Sequence, residues 1–310
     1  MRSLFRSAIL FAAVATVWPL TAQAQSGFTF TPAPPATEEA TPEPANSAII
    51  GLGSFERRIT LLPQGLLWRP PIANPEEPRS YMKLYQSLDT EEFPSVNDCA
   101  IGGTLPVVRF SRIETPNEGM QVDVFAVAFS RFVDIRTFAA VDYRFGVPFT
   151  YAIGKWSFKV AYEHTSCHVG DELLIKDDLP SKDSTRNETV FAISYRVVDA
   201  LRVYGQFGWA WQQSSFVQDI DKYRYVIGAE WSKPGPTGVW GQPFAAIDCE
   251  FRGDEDYTPN VTAQIGWEWS GQKYNPGLRI ALEYYDGRSP FGQFIDRHES
   301  WVALGVFLDL

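Results

Sequence analysis

The chain has 310 residues, and 37 acidic residues outnumber 27 basic ones to give a net charge of −10 at pH 7. This acidity argues against nucleic-acid binding, which needs a basic surface. Aromatic residues make up 15% of the chain, including ten tryptophans, a proportion that suits the aromatic girdles of a membrane barrel better than a small soluble core.

The first 24 residues predict a secretory signal peptide. Arg2 and Arg6 form a positive start, residues 8–17 are apolar, and Ala22-Gln23-Ala24 offers a small-residue cleavage site. Cleavage removes two arginines and no acid, which moves the net charge from −10 to −12. Neither this apolar run nor any later one reaches the roughly 18 residues of a membrane-spanning helix. Two classes stay open, a secreted soluble β-protein and an outer-membrane β-barrel.

Two segments precede the strands. Residues 25–46 are rich in proline, threonine and glutamate, which predicts a disordered periplasmic tether because this composition cannot bury a core. Residues 47–80 lack a clear strand pattern, and four prolines between Leu61 and Pro75 forbid a central strand or a long helix there. This second segment is predicted to be a plug, a periplasmic strap, or a loop against the base of a barrel.

From residue 81 to residue 310, apolar and polar residues alternate with a period of two, which places each set on one side of a strand. In the clearest segment, Val261, Ile265 and Trp267 share one face, while Gln264 and Glu268 share the other. Twelve segments, most of them about long enough to cross a bilayer at a tilt, predict an all-β fold, an antiparallel transmembrane barrel of about 12 strands. The predicted strands are 81–87, 100–112, 120–132, 137–148, 155–168, 189–198, 201–212, 222–232, 239–251, 258–269, 276–286 and 300–310.

The last predicted strand is apolar at every second residue and ends in Leu310. This pattern is typical of the C-terminal strand that the barrel-assembly machinery of the outer membrane reads, although the usual final phenylalanine is replaced here by leucine. The strand therefore predicts assembly into the cell outer membrane.

Three segments also carry a family resemblance, namely residues 66–75, 140–148 and 164–172. They resemble an uncharacterised bacterial family, a domain of unknown function that is grouped with outer-membrane β-barrels. The resemblance covers most of residues 50–310 and implies the fold and the location, but no activity.

The polar strand faces would point into the lumen, and they interleave acids with bases. Because a narrow lumen filled by ion pairs needs such a mixture, the first prediction is a non-enzymatic envelope protein, either structural or a narrow pore. The residues concerned are Asp142, Arg144, Lys159, Glu163, Arg202, Arg224, Glu230, Glu268, Arg279 and Glu283.

A group of polar residues extends the apolar, outward face of the fifth predicted strand: His164, Ser166 and His168. Residues two apart on a strand have Cα atoms about 6.6–7 Å apart, so a histidine can reach the Ser166 hydroxyl as a base-activated nucleophile requires. Residues four apart are separated by about 13 Å, so the two histidines cannot share one metal ion on a regular strand.

This His-x-Ser pair resembles the active sites of two groups of barrel esterases, the lipid A deacylases and outer-membrane phospholipase A. The resemblance implies an alternative function, a lipid ester hydrolase in which His164 is the base and Ser166 the nucleophile. Those enzymes favour asparagine after the serine, where this chain has Cys167. Asp171, Glu172 and Glu188 are candidates for the acid that orients the base.

Oxyanion donors in such a hydrolase are predicted at the backbone amides around Gly170, or from a calcium ion held by Asp171 and Glu172. No other cofactor is expected. Cys99, Cys167 and Cys249 allow at most one disulfide, and the sequence leaves its pairing open, as it does the oligomeric state.

Overall fold

The computed structural model describes residues 46–309, apart from 53–54, 90–94, 134–136, 173–182, 215–221, 254–256 and 272–276. The predicted signal peptide and all but the last residue of the predicted tether lie outside this part. No helix in the described part is long and apolar enough to cross a membrane. Its strands are β1 (Ser47–Leu52), β2 (Phe55–Leu61), β3 (Ser80–Ser87), β4 (Ser95–Arg112), β5 (Gly119–Val133), β6 (Thr137–Ile153), β7 (Trp156–Val169), β8 (Ser184–Val198), β9 (Leu201–Ser214), β10 (Tyr223–Trp231), β11 (Gln242–Arg252), β12 (Pro259–Trp269), β13 (Leu278–Arg288) and β14 (His298–Leu308).

Strands β3 to β14 form a closed antiparallel barrel. Each strand pairs with its neighbours in the chain, and β14 pairs with β3 to close the ring, with Leu308 opposite Ser80. The ring has the twelve strands that the alternation predicts. We call the end of the barrel where β3 begins and β14 finishes the terminal end, and the opposite end the loop end.

The two faces of the wall divide apolar from polar side chains as predicted. On β12, Ile265 is 58% exposed on the outer face, whereas Gln264 and Glu268 are buried inside. Five tryptophans are predicted as anchors at the membrane interface; Trp209, Trp211, Trp231 and Trp267 are 42–47% exposed, and Trp269 is partly buried. Because a soluble two-sheet core would bury these rings, their exposure fits a membrane barrel and contradicts the soluble alternative.

Two short strands in the segment before the barrel are not predicted by the sequence. Strands β1 and β2 form a hairpin, and β2 pairs with the last residues of β4, from Val108 to Arg112. The hairpin has no alternating pattern because Ala48, Ile49 and Ile50 are all exposed. Its position is set by pairing with β4, which extends beyond β3 at the terminal end.

Residues 62–79, which we call the plug, lie inside the barrel. The backbone amide of Ile72 donates to Glu230 on β10, and Asn74 Nδ2 donates to Asp248 Oδ1 on β11 at 3.1 Å. Gln206 on β9 donates to Glu77 at 3.0 Å. The plug is thus hydrogen-bonded to three adjacent strands of the wall, β9, β10 and β11.

Ion pairs join the plug to the wall. Glu76 contacts three arginines from different strands, with N···O distances of 3.1 Å to Arg144, 3.2 Å to Arg252 and 3.7 Å to Arg224. Burial by itself raises the pKa of Glu76, but the three guanidinium groups more than offset it and hold this pKa below its usual value. The plug is thus fixed by charge as well as by hydrogen bonds.

Further ion pairs fill the lumen between the wall strands. The charged residues predicted to face inward do so, and all are buried except Arg202, which is partly buried. The closest pairs are Arg224–Glu188 at 2.6 Å, Lys83–Glu283 at 2.9 Å, Arg131–Asp98 at 3.0 Å and Lys159–Glu163 at 3.2 Å. At the loop end, Phe291 and Phe294 are also buried, with the guanidinium of Arg131 4.3 Å from the Phe291 ring centroid.

Candidate functional site

A polar group lies on the outer face of the wall at the loop end, where β7 finishes and β8 begins. We call it the rim patch, and it consists of Tyr162, His164, Ser166, His168, Asp183, Asn187 and Gln212. On β7 the apolar side chains from Trp156 to Tyr162 point outward, and continued alternation brings the histidines and the serine onto the same face. The outward placement predicted for these three residues is the one observed.

Ser166 is hydrogen-bonded to His168, which lies two residues after it on β7. Ser166 Oγ lies 2.7 Å from His168 Nε2. The other ring nitrogen, His168 Nδ1, lies 3.5 Å from Asp183 Oδ1, with the two side chains 44% and 59% exposed. The three residues form a chain of hydroxyl, imidazole and carboxylate, the order in which a nucleophile, its base and an orienting acid stand.

His164 has a different partner. Its Nδ1 lies 2.7 Å from Asn187 Oδ1, across the β7–β8 pair. Asn187 is held from two further sides, because the Tyr162 hydroxyl donates to its Oδ1 at 2.8 Å and its Nδ2 donates to Gln212 at 3.1 Å. With Nδ1 protonated, His164 keeps an Nε2 lone pair that can accept a proton.

A β-bulge on β9 brings Gln212 into the rim patch. Asn187 pairs with Gln212 and the next residue, Glu188, pairs with Ala210, so Trp211 is the extra residue. The alternation predicts Gln212 on the lumen face, but the bulge shifts the register and turns it outward. Trp211 packs near Tyr162, with ring centroids 6.2 Å apart.

Aromatic rings lie beside both histidines. The Phe145 and His164 ring centroids are 4.7 Å apart, and those of Tyr143 and His168 are 5.9 Å apart. Both aromatic residues belong to β6, the strand next to β7. Each imidazole therefore has a tilted aromatic ring on one side and an oxygen partner on another.

The structure does not bring the three predicted orienting acids to His164. Glu188 faces the lumen, where Arg224 and Arg186 bind it at 2.6 and 3.1 Å. Glu172 accepts a hydrogen bond from the backbone amide of Phe138 at 2.8 Å, and Asp171 is exposed. The assignment of His164 as the base of Ser166 stays a prediction.

Nor does the structure offer the predicted oxyanion donor at Gly170, because its amide donates to the Ala139 carbonyl at 2.8 Å. Among the described residues, no group of three histidine, cysteine, aspartate or glutamate side chains is arranged to hold a metal ion.

The three cysteines are free, so no disulfide joins Cys99, Cys167 or Cys249. Cys167, which stands where the barrel esterases favour asparagine, is buried on the inner side of the wall. It therefore lies on the opposite face of β7 from Ser166 and takes no part in the rim patch.

The sequence assigns no role in the rim patch to two of its residues, Asp183 and Asn187. Asn187 reaches His164 only through the register of β7 with β8, and Asp183 lies just before β8 after a long connection. The sequence offers one usable signal, since an asparagine is unusual on an outward strand face in a lipid-facing protein.

The chain was compared with protein families, curated proteins and solved structures. The family described as "Protein of unknown function (DUF1207)" matches residues 10–309. No curated protein matches the chain.

Among solved structures, outer membrane phospholipase A from Escherichia coli is 13% identical, with 76% of this chain and 93% of that chain covered and a TM-score of 0.49. The KdgM porin in complex with disordered oligogalacturonate is 8% identical, with 75% and 98% covered and a TM-score of 0.42. At such identities the likeness does not extend to activity.

Proposed function

Because the chain belongs to the DUF1207 family of proteins of unknown function, its activity has to be argued from its own residues, and we propose that it is a lipid ester hydrolase of the outer membrane. The observation that carries this proposal is the 2.7 Å contact between Ser166 Oγ and His168 Nε2 on the outer face of the barrel. A hydroxyl bound to an imidazole nitrogen is the starting arrangement of a base-activated nucleophile.

The location of the rim patch supports a lipid substrate. It continues the outward face of β7, directly beyond the exposed rings of Trp156, Phe158 and Tyr162. Polar side chains at the edge of a lipid-facing stripe lie at headgroup depth, where a phospholipid or lipid A presents its ester bonds. The aromatic rings beneath the patch offer an apolar surface for the acyl chain.

The orientation of the barrel completes the proposal. The terminal end has two-residue turns at Gly154-Lys155 and Asp199-Ala200, whereas the connection from β7 to β8 at the loop end is long. Short turns face the periplasm and long loops face outward in such barrels. The N-terminal tether would then lie in the periplasm, β14 would carry the signal for the barrel-assembly machinery, and the rim patch would face the outer leaflet.

In the first step, the Ser166 hydroxyl oxygen attacks the ester carbonyl carbon as its proton passes to His168 Nε2. Asp183 stabilises the imidazolium that results. When the tetrahedral intermediate collapses, the bond to the alcohol breaks and His168 returns the proton to the departing oxygen. Water, deprotonated by the same histidine, then releases the fatty acid and restores the serine.

His164 is the second candidate for the base, and the two histidines differ in the residues that hold their imidazole rings. His168 already contacts the serine, but its carboxylate partner is exposed and 3.5 Å away. His164 is held more firmly through Asn187, whose amide group is bonded to two further side chains. Substitution of each histidine separates these assignments.

A calcium ion is a further proposal within the hydrolase. The amide of Gly170 is committed to Ala139, so a cation bound near Asp171 and Glu172 would supply the positive charge that the oxyanion needs. The fatty-acid release assay is therefore run both with added calcium and with a calcium chelator.

The test uses purified, folded full-length barrel in mixed micelles with phospholipid or lipid A, and it measures released fatty acid. We expect Ser166→Ala and His168→Ala each to lower kcat by about 10³-fold or more, with the double variant no worse than either single one, because nucleophile and base act as a unit. His164→Ala should keep most of the activity if His168 is the base.

The matched control is Thr185→Ala, which removes a hydroxyl directly opposite Ser166 on β8. It should retain wild-type rates. If the wild-type barrel releases no fatty acid from either lipid, with calcium or with chelator, the hydrolase proposal is wrong.

The second candidate is a non-enzymatic envelope barrel, and the filled lumen favours it over a pore. The plug is bonded to β9, β10 and β11, and Glu76 is ion-paired to three arginines. A water-filled channel does not need such internal neutralisation. Planar-bilayer recordings should therefore give little or no conductance, and large stable single-channel steps would point to a porin instead.

A further inference from the structure

The terminal end of the barrel holds a second polar site, far along the wall from the rim patch. A cavity of about 340 Å³ lies between the plug and the wall, beside the turns at Gly154 and Asp199. Among the described residues that line it, five are basic and three are acidic. In a chain with a net charge of −10, this mouth of the lumen is locally positive.

Two arginines, Arg69 and Arg202, and the carboxylate of Glu230 line this cavity. Arg202 Nε lies 3.3 Å from Glu230 Oε2, and Arg202 Nη1 donates to the backbone carbonyl of Arg69 at 2.8 Å. Arg69 Nη2 donates to a neutral partner, Ser232 Oγ, at 3.2 Å. The other oxygen of Glu230 accepts a hydrogen bond from the backbone amide of Ile72.

Both guanidinium groups have N–H donors that lack a hydrogen-bond acceptor. Arg69 Nε and Arg202 Nη2 are buried and have no hydrogen-bond acceptor among the described atoms, and the same holds for Arg202 Nε, although Glu230 Oε2, 3.3 Å from that nitrogen, is an acceptor without a hydrogen-bond donor. Buried donors in proteins are nearly always satisfied, so Arg69 Nε and Arg202 Nη2 call for an acceptor. Burial lowers the pKa of Arg69 below its usual value and the charge of Arg202 lowers it further, while Glu230, Glu268 and Asp309 act in the opposite direction and offset this only in part.

We propose that this cavity binds a small soluble oxyanion, a phosphate ester or a carboxylate, between Arg69 and Arg202. Two planar guanidinium forks suit the paired oxygens of these groups. The volume is near the lower end of the range for small-molecule sites, about 300–1,000 Å³, so the ligand is a compact solute rather than an acyl chain or a polymer. The site is independent of Ser166 and of any hydrolase activity.

The experiment is calorimetric titration of the purified full-length barrel in detergent. The probes are inorganic phosphate, sn-glycerol 3-phosphate and citrate, with glycerol as the uncharged comparison. We expect saturable 1:1 binding of at least one oxyanion and none of glycerol. The preference between glycerol 3-phosphate and citrate identifies the phosphate or the carboxylate as the favoured group.

Two variants assign the binding to the arginine pair. Arg69→Gln and Arg202→Gln should each weaken binding at least tenfold, whereas Lys155→Gln, which removes a charge from the same cavity on an exposed turn, should change it less than threefold. Heat-modifiable migration on unboiled gels reports folding. If a glutamine variant does not fold, Arg202→Lys keeps the charge and loses the fork, and it too should weaken binding tenfold.

The proposal is overturned if none of the three anions binds saturably at millimolar concentration. It is equally overturned if the folded arginine variants bind as tightly as wild type, because the charge of the mouth alone would then account for the binding.

Discussion

The lumen and the rim patch both place polar residues on strands of the same barrel, but they use them differently. In the lumen, charged groups meet partners of opposite sign, as Arg224 meets Glu188 at 2.6 Å and Lys83 meets Glu283 at 2.9 Å. In the rim patch, hydroxyl, imidazole and amide groups form hydrogen-bonded chains, and the chain that includes Ser166 ends at the exposed carboxylate of Asp183. Lumen polarity is explained by the need to neutralise buried charge, whereas the rim patch has no such structural need.

The largest stability effect should follow from breaking a lumen pair. Glu188→Ala removes the carboxylate that Arg224 and Arg186 share and leaves Arg224 with Glu250 and Glu76, and removal of one partner of a buried ion pair costs about 3–5 kcal/mol. Urea unfolding in detergent micelles measures this loss. Thr189→Ala, one residue along and on the other face, is the control and should change stability little, so equal losses would contradict the division between the faces.

A smaller stability loss is expected for a charge on the lipid face. Ile265→Arg places a cation near the middle of an exposed apolar stripe, at a cost of about 2–4 kcal/mol or a failure to assemble. Ile265→Val, which stays apolar, should assemble normally. Assembly is followed by the heat-modifiable shift, and an arginine variant that folds as well as the valine variant would show that this face does not meet lipid.

The rim patch should behave in the opposite way, with activity affected and stability spared. Asp183→Asn removes the charge next to His168 and should lower kcat about tenfold, which is about 1.4 kcal/mol of transition-state stabilisation. The free energy of unfolding should stay within about 0.5 kcal/mol. Asn187→Ala is the counterpart for His164, and a larger loss of kcat there would make His164 the base.

The smallest effect on stability is expected from Glu76→Gln in the plug, and it should be seen at low pH. The folded-state pKa of Glu76 lies below its unfolded value, so its contribution to stability is present above the unfolded pKa, near 4.5, and is lost as pH falls through the folded value. Stability measured between about pH 6 and pH 3 should therefore fall less steeply in Glu76→Gln than in wild type. Parallel curves would mean that the three arginines do not hold this carboxylate.

The barrel could be predicted from the sequence because alternation and aromatic faces are local signals. The predicted segment 201–212 corresponds to β9, Leu201–Ser214, and 258–269 to β12, Pro259–Trp269. The β1–β2 hairpin could not be predicted from the sequence, because it depends on pairing with β4 and leaves both its faces partly exposed.

The rim patch was predictable only in part. The outward face of His164, Ser166 and His168 follows from a period of two, but their partners do not. Which histidine contacts the serine depends on side-chain rotamers, Asn187 depends on the register between β7 and β8, and Gln212 depends on a bulge at Trp211. None of these is encoded in residue spacing.

Labelling with a fluorophosphonate probe tests the nucleophile most directly, because the reagent reacts with a serine that a neighbouring base activates. The account predicts that the folded wild-type barrel is labelled at one site, that mass spectrometry assigns it to Ser166, and that His168→Ala loses the label while Thr185→Ala keeps it. A folded wild-type barrel that takes up no label, or one labelled elsewhere than Ser166, would contradict the account.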